Sequence, residues 1–206
     1  FGGGWATDFG PTFYGAPDQG LQFKIPYLTN AKNLVYEFDG GPRKAPGTTL
    51  LNESSLGAST GVMGVFDYWK QGTSGSPSQR RIVHAGTNIY QDAGSGTFSS
   101  LFSGMTSGAI PQYSTFKDLM ITGNDSTADV PKSWDGSTAQ NLAGTPPRFS
   151  FSVSHRGRQW AAGNYSAPSR LYYSVADDPE DWAGAGSGSI DIDVGDGDMI
   201  TGLLSW

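Results

Sequence analysis

The chain has 206 residues, 30 glycines, 12 prolines, two histidines, no cysteine and a formal net charge of −6. That length supports one large domain or two small ones with a real core. Lack of cysteine excludes disulfides and thiolate chemistry and suits a reducing cytoplasm. The acidic balance argues against binding nucleic acid through its phosphates, though not against a wall that nucleic acid slides past. No run of 18 apolar residues offers a membrane span, and no basic-then-apolar start predicts a signal peptide. Glycine and proline content, with no sustained 3.6-residue period, predicts an all-β chain.

Residues 1–60 are dense in Gly, Pro and single aromatics. They read as an extended N-terminal arm with short strands, anchored by Phe9, Phe13, Phe23 and Tyr27. Such an arm either packs on a neighbouring subunit, with those four residues as the interface, or closes its own sheet as an N-terminal strand. Leu34 to Phe38 predicts a short strand turning at Asp39-Gly40-Gly41-Pro42, followed by a basic turn from Arg43 to Gly47.

Regular strands begin at Gly61. Val62 to Trp69 alternates, with Val62, Gly64, Phe66 and Tyr68 on one face and Met63, Val65, Asp67 and Trp69 on the other. Arg80–Ala85 and Asn88–Asp92 predict a hairpin across Gly86-Thr87, with Phe98–Phe102 outside it. Further strands are expected near Thr115–Phe116, at Leu119–Thr122, Lys132–Trp134 and Asn141–Leu142. A last set comprises Arg148–Ser154, Gln159–Ala162, Arg170–Val175 and Ile190–Val194, and Met199–Leu204 reads as the first strand of a further unit. The central stretch is Trp160 to Trp182: two strands, a Gly163-Asn164 turn, and an acidic turn whose Pro179 cannot donate to a ladder.

Gly86, Gly123 and Gly163 each close an apolar run, and they lie 37 and 40 residues apart. A period of about 40 residues with several short strands is the spacing of propeller blades. The pattern predicts a partial β-propeller over 61–206, of about three four-stranded blades. A β-sandwich with evenly spaced hairpins is the alternative. Three blades leave an open edge, so further sequence or another chain is expected to complete the sheet.

Two acidic runs invite chemistry. Asp191-Ile-Asp193-Val-Gly-Asp196-Gly-Asp198 has oxygen ligands at close spacing, but no EF-hand register, and reads as a solvated strand and turn. Asp177, Asp178, Glu180 and Asp181 raise the two-carboxylate chemistry of glycosidases, yet Pro179 and Trp182 look like a turn with an anchor. Ser133-Trp-Asp135-Gly only superficially resembles a sialidase aspartate box. His84 and His155 are not ligand-spaced. His155-Arg-Gly-Arg158 reads as a basic hairpin turn. No nucleophile elbow or phosphate-binding glycine loop occurs. No catalytic residue, metal or cofactor is therefore assigned.

The ordered series Phe1-Gly-Gly-Gly, Asp39-Gly-Gly-Pro-Arg-Lys-Ala-Pro-Gly-Thr48, Arg80-Arg-Ile-Val-His84, Val130-Pro-Lys-Ser-Trp-Asp-Gly136, Pro146-Pro-Arg-Phe149, Arg158-Gln-Trp-Ala-Ala-Gly-Asn164, Arg170-Leu-Tyr-Tyr-Ser174, Asp178-Pro-Glu-Asp-Trp182 and Asp196-Gly-Asp198 spans nearly the whole chain. It resembles the N-terminal part of tailed-bacteriophage virion proteins with a β-propeller body, of the tail-nozzle or tail-tube type. The resemblance implies a non-enzymatic ring component of the tail or head–tail joint, lining the channel through which DNA leaves. Its partners would be copies of itself, the adaptor or portal, tail fibre or tube proteins, and viral DNA in passing. It would be assembled in the host cytoplasm and reside in the virion. The rival readings are a propeller glycoside hydrolase or depolymerase using Asp178 and Asp181, and a carbohydrate-binding protein for host-surface glycans.

Overall fold

A computed structural model of the chain describes residues 34–36, 42–44, 56, 61–72, 77–92, 96–193, 195 and 197–206. The chain divides into two compact units, 1–50 and 51–206. In the first, β1 (Leu34–Tyr36) and β2 (Pro42–Lys44) pair antiparallel. Arg43 and Lys44, expected in a basic turn, are instead strand residues opposite Val35 and Leu34. The predicted anchors Phe9, Phe13, Phe23 and Tyr27 lie outside the described residues.

The second unit holds three four-stranded antiparallel sheets, each a simple meander. The first contains β3 (Val62–Lys70), β4 (Ser78–Ala85), β5 (Asn88–Asp92) and β6 (Phe98–Phe102). The second contains β7 (Pro111–Phe116), β8 (Leu119–Asn124), β9 (Lys132–Trp134) and β10 (Ala139–Asn141). The third contains β11 (Phe151–His155), β12 (Arg158–Ala162), β13 (Arg170–Tyr173) and β14 (Gly188–Asp191). Short β-branched and aromatic runs punctuated by glycine and proline favour hairpins of this kind. The Arg156-Gly157 turn between β11 and β12 has φ of 47° and 71°, the left-handed pair that matches strand twist in a two-residue hairpin.

The partial propeller expected from the sequence is corrected here. None of the three sheets closes: each runs linearly from one edge strand to the other, and among the described residues no further strand pairs with either edge. Met199–Leu204 forms no strand. Ile200 makes a single backbone bond to the Pro168 carbonyl (3.0 Å) in place of a ladder, so no further sheet begins there. The spacing of about 40 residues is real, but it is the spacing of successive sheets. Gly86 and Gly163 fall just past the second strand of their sheets, and Gly123 is the penultimate residue of β8.

The second sheet has one face against each of the other two. Toward the first sheet, Tyr68, Ile82, Ile89 and Phe102 pack with Met105, Met120 and Trp134. Toward the third, Phe116 and Ile121 pack with Leu142, Phe149 and Ala161. On β3, Tyr68 is buried while Val65 and Trp69 are 60% and 53% exposed, the alternation expected of a strand buried on one face. Gly123 on β8 is there for closeness. A Cβ at that position would lie 2.4 Å from the Phe149 carbonyl oxygen and 2.5 Å from its ring.

Candidate functional site

The strand ends of the second unit converge on a cleft of about 630 Å³. Lys70 and Gly72 enter it from the end of β3, Lys117 and Asp118 from the β7–β8 turn, Asp135 from the β9–β10 turn, and Asp177 and Glu180 from the loop after β13. The fold thus brings part of the acidic run at 177–181 together with Asp135, the aspartate of the Ser133-Trp-Asp-Gly motif.

Most of these carboxylates act as acceptors for local structure. Asp135 Oδ1 accepts the N–H groups of Ser137 and Thr138, both at 2.7 Å, and closes its hairpin as an Asx turn. Those bonds, Thr138's first, hold Asp135 below the usual carboxylate range, opposite to what a general acid requires. Asp118 accepts from the backbone of Gln71 (2.9 Å) and Gly72 (3.2 Å). Its carbonyl accepts the Tyr68 hydroxyl, whose pKa burial, then Asp118 and Asp135, push up to about 12. Lys70 Nζ donates to the Asp135 carbonyl at 2.5 Å. Glu180 Oε1 accepts from Ser133 Oγ (3.2 Å) and Gln140 Nε2 (3.3 Å). Lys117 pairs with Asp177 at 3.4 Å, both well exposed.

The two acids named for glycosidase chemistry, Asp178 and Asp181, hold their own turn. Asp178 Oδ1 accepts the Glu180 N–H (3.0 Å), and Asp181 Oδ1 accepts those of Ala183 and Gly184 (3.1 and 2.7 Å). Trp182 donates its indole N–H to the Pro179 carbonyl (2.9 Å) and stacks near Phe149 (6.3 Å). In the later run, Asp191 forms a two-pronged pair with Arg170 (2.5 and 2.9 Å), which lowers its pKa. Among the described residues no three His, Cys, Asp or Glu converge as a metal site.

Nothing in the sequence pointed to the outer face of the third sheet. Its registers place Val153, Trp160 and Tyr173 side by side, with Leu171 and Ile190 next along the same face. None is fully buried, and Ile190 is 47% exposed. Residues 200–205 cross this end: Leu203 and Leu204 share a groove of about 230 Å³ with Val153, His155, Trp160 and Leu171. Ser205 Oγ lies 2.8 Å from His155 Nδ1. Leu204 remains 82% exposed. Arg158, read as part of a basic turn, bonds the Ser174 carbonyl (2.6 Å) and that of Gly186 and lies over the Tyr173 ring (5.3 Å).

No family model, curated protein or solved structure matches the chain. The resemblance to propeller-bodied phage virion proteins is therefore corrected on two grounds: the sheets form no closed propeller, and no matching family or fold stands behind the motif series. The nozzle and tail-tube assignments that depended on it go with it.

Proposed function

We propose that this chain is a structural subunit that works through its interfaces, as a component of the tail or head–tail joint of a bacteriophage particle. The observation that carries the interface reading is the apolar outer face of the third sheet, where Ile190 is 47% exposed and Trp160 and Leu171 are half-buried beside Leu203 and Leu204. Contiguous exposed apolar surface on a sheet marks an interaction site. The opposite end of the unit offers Val65 and Trp69 on the outer face of the first sheet. Two different apolar ends on one subunit suit head-to-tail contact, the geometry that closes rings. The net charge of −6 suits a channel wall that does not hold DNA by its phosphates, and that supports the particle assignment. In this reading copies of the chain pack on one another, and other virion proteins and passing DNA are the further partners.

Quantitative mass spectrometry of purified particles from a lysate making this protein tests the assignment. Several copies per particle, in a number matching a ring, are expected. Protein free in the lysate and absent from particles would overturn it.

A further inference from the structure

A second concavity lies where residues just past β8 and β12 meet the segment leading into β11. It encloses about 150 Å³, and Ser126, Thr127, Arg148, Asn164, Tyr165 and Ser166 are among its lining. Among the described residues no carboxylate lines it, although the chain carries a net charge of −6.

Its donors are only partly used. Arg148 Nη1 donates to the Thr127 carbonyl at 2.7 Å, which fixes the guanidinium against the wall. Among the described residues its remaining N–H groups have no partner and no carboxylate pairs with it. Asn164 Oδ1 accepts the Ser166 N–H (2.8 Å), leaving the amide NH₂ over. Among the described residues the hydroxyls of Ser166 and Tyr165 also have no partner. The nearby carboxylate of Asp129 is taken up by Thr106 and Asn124 at 2.6–2.9 Å. The wall itself depends on Gly163, at φ 78°, where a Cβ would sit 2.9 Å from both the Phe151 ring and Ser150 Cβ.

A guanidinium tethered by one bond, an amide NH₂ and hydroxyls around a small space form a donor-rich site. Arginine forks suit planar or tetrahedral oxyanions. We propose that this pocket binds a compact oxyanion, a carboxylate or phosphate group, through Arg148, Asn164 and Ser166. The space is below the several hundred Å³ of sites that engulf whole small molecules, so it takes the acid group and leaves the rest of the ligand outside. Tyr165, 60% exposed, offers an aromatic face to a sugar ring carrying that group.

Amide NMR titration of the full chain at low ionic strength tests this, with inorganic phosphate, glucuronate and glucose as probes. Saturable shifts at Asn164 and Ser166 with phosphate or glucuronate, and none with glucose, are expected. Glucuronate binding tighter than phosphate, and weakened by Tyr165→Ala, assigns an acidic sugar. Phosphate binding alone assigns a free anion. Arg148→Gln should weaken either by roughly tenfold or more, as loss of a charge-assisted bond does. Ser166→Ala leaves the wall intact and should weaken binding by a smaller factor. No saturable shift with either anion, or binding unchanged in both variants, would overturn the proposal.

Discussion

The second sheet meets its two neighbours in different ways. Against the first sheet the contact is aromatic: Tyr68 tilts on Trp134 at 5.0 Å, Phe66 stacks on Tyr113 at 5.1 Å, and Gly64 lets Pro111 in close. Two polar side chains are caught there with poor satisfaction: among the described residues, the Tyr113 hydroxyl and the ring nitrogens of the fully buried His84 make no hydrogen bond of good geometry. Against the third sheet the contact carries a bonded polar seam. Gln159 Nε2 donates to Ser114 Oγ, Ser114 Oγ meets Ser152 Oγ, and Ser154 Oγ lies within bonding distance of both Gln159 Oε1 and the Thr115 carbonyl, at 2.8–2.9 Å. A satisfied buried network specifies one arrangement, whereas an unsatisfied group is a standing cost. The first interface should therefore owe its strength to packing and be sensitive to acid. The second should be sensitive to loss of single polar atoms.

The largest expected effect is on the aromatic interface. Trp134→Ala should cost about 3–5 kcal/mol, as removal of a large buried aromatic does, read by urea unfolding. Gly123→Ala should cost about 1–3 kcal/mol, because backbone and ring of Phe149 must shift to admit a methyl group. Thermal melts would check it. Gln159→Leu removes both ends of the polar seam's central amide and leaves the hydroxyls of Ser114 and Ser154 with fewer partners. A loss of about 1–3 kcal/mol is expected. If Gln159→Leu were neutral, the contrast between the interfaces would collapse.

Acid supplies a smaller and more selective probe. Burial, partly offset by Asp129 and the Gly86 backbone, lowers the pKa of His84 below its ordinary 6.5. The unfolded chain then takes up a proton that the folded chain refuses. This contribution to stability is complete above about pH 6.5 and is lost as pH falls toward the depressed folded value, with a slope of at most about 1.4 kcal/mol per pH unit for one proton. His84→Phe should flatten the profile of unfolding free energy between pH 7 and pH 5 relative to wild type (range set by the ordinary pKa of about 6.5). The exposed Arg170–Asp191 pair should matter least, since screened surface ion pairs contribute little. Arg170→Gln should leave the melting temperature unchanged.

Much of the local structure was legible. Alternation in Val62 to Trp69 revealed β3 but not which of its faces is buried, and Asp178 to Trp182 read as a turn with an indole anchor, as it is. Pairings within hairpins are local, so short-range patterns reveal them. Partners across sheets are not: nothing in the sequence links Gln159 to Ser114, 45 residues away, or marks His84 as fully buried. The Met199–Leu204 run misled because apolar content alone cannot distinguish a strand from a segment lying across a sheet face. Gly123 stood out as one of a regular series, but its reason is the approach of Phe149. The arrangement of sheets, and hence the failure to close a propeller, depended on such long-range contacts. The outer face of the third sheet was hidden for the same reason, since its five apolar residues come from four different strands.

The proposed contact between copies of the chain falls on this outer face. Sedimentation velocity over a range of concentrations, wild type against Leu171→Asp, tests it most directly. Leu171 lines the open groove and is not fully buried, so the variant should fold with an unchanged circular-dichroism spectrum. Concentration-dependent association of the wild type, lost in Leu171→Asp, is the predicted result. A compact wild-type monomer at every concentration, or association that Leu171→Asp leaves untouched, would contradict it.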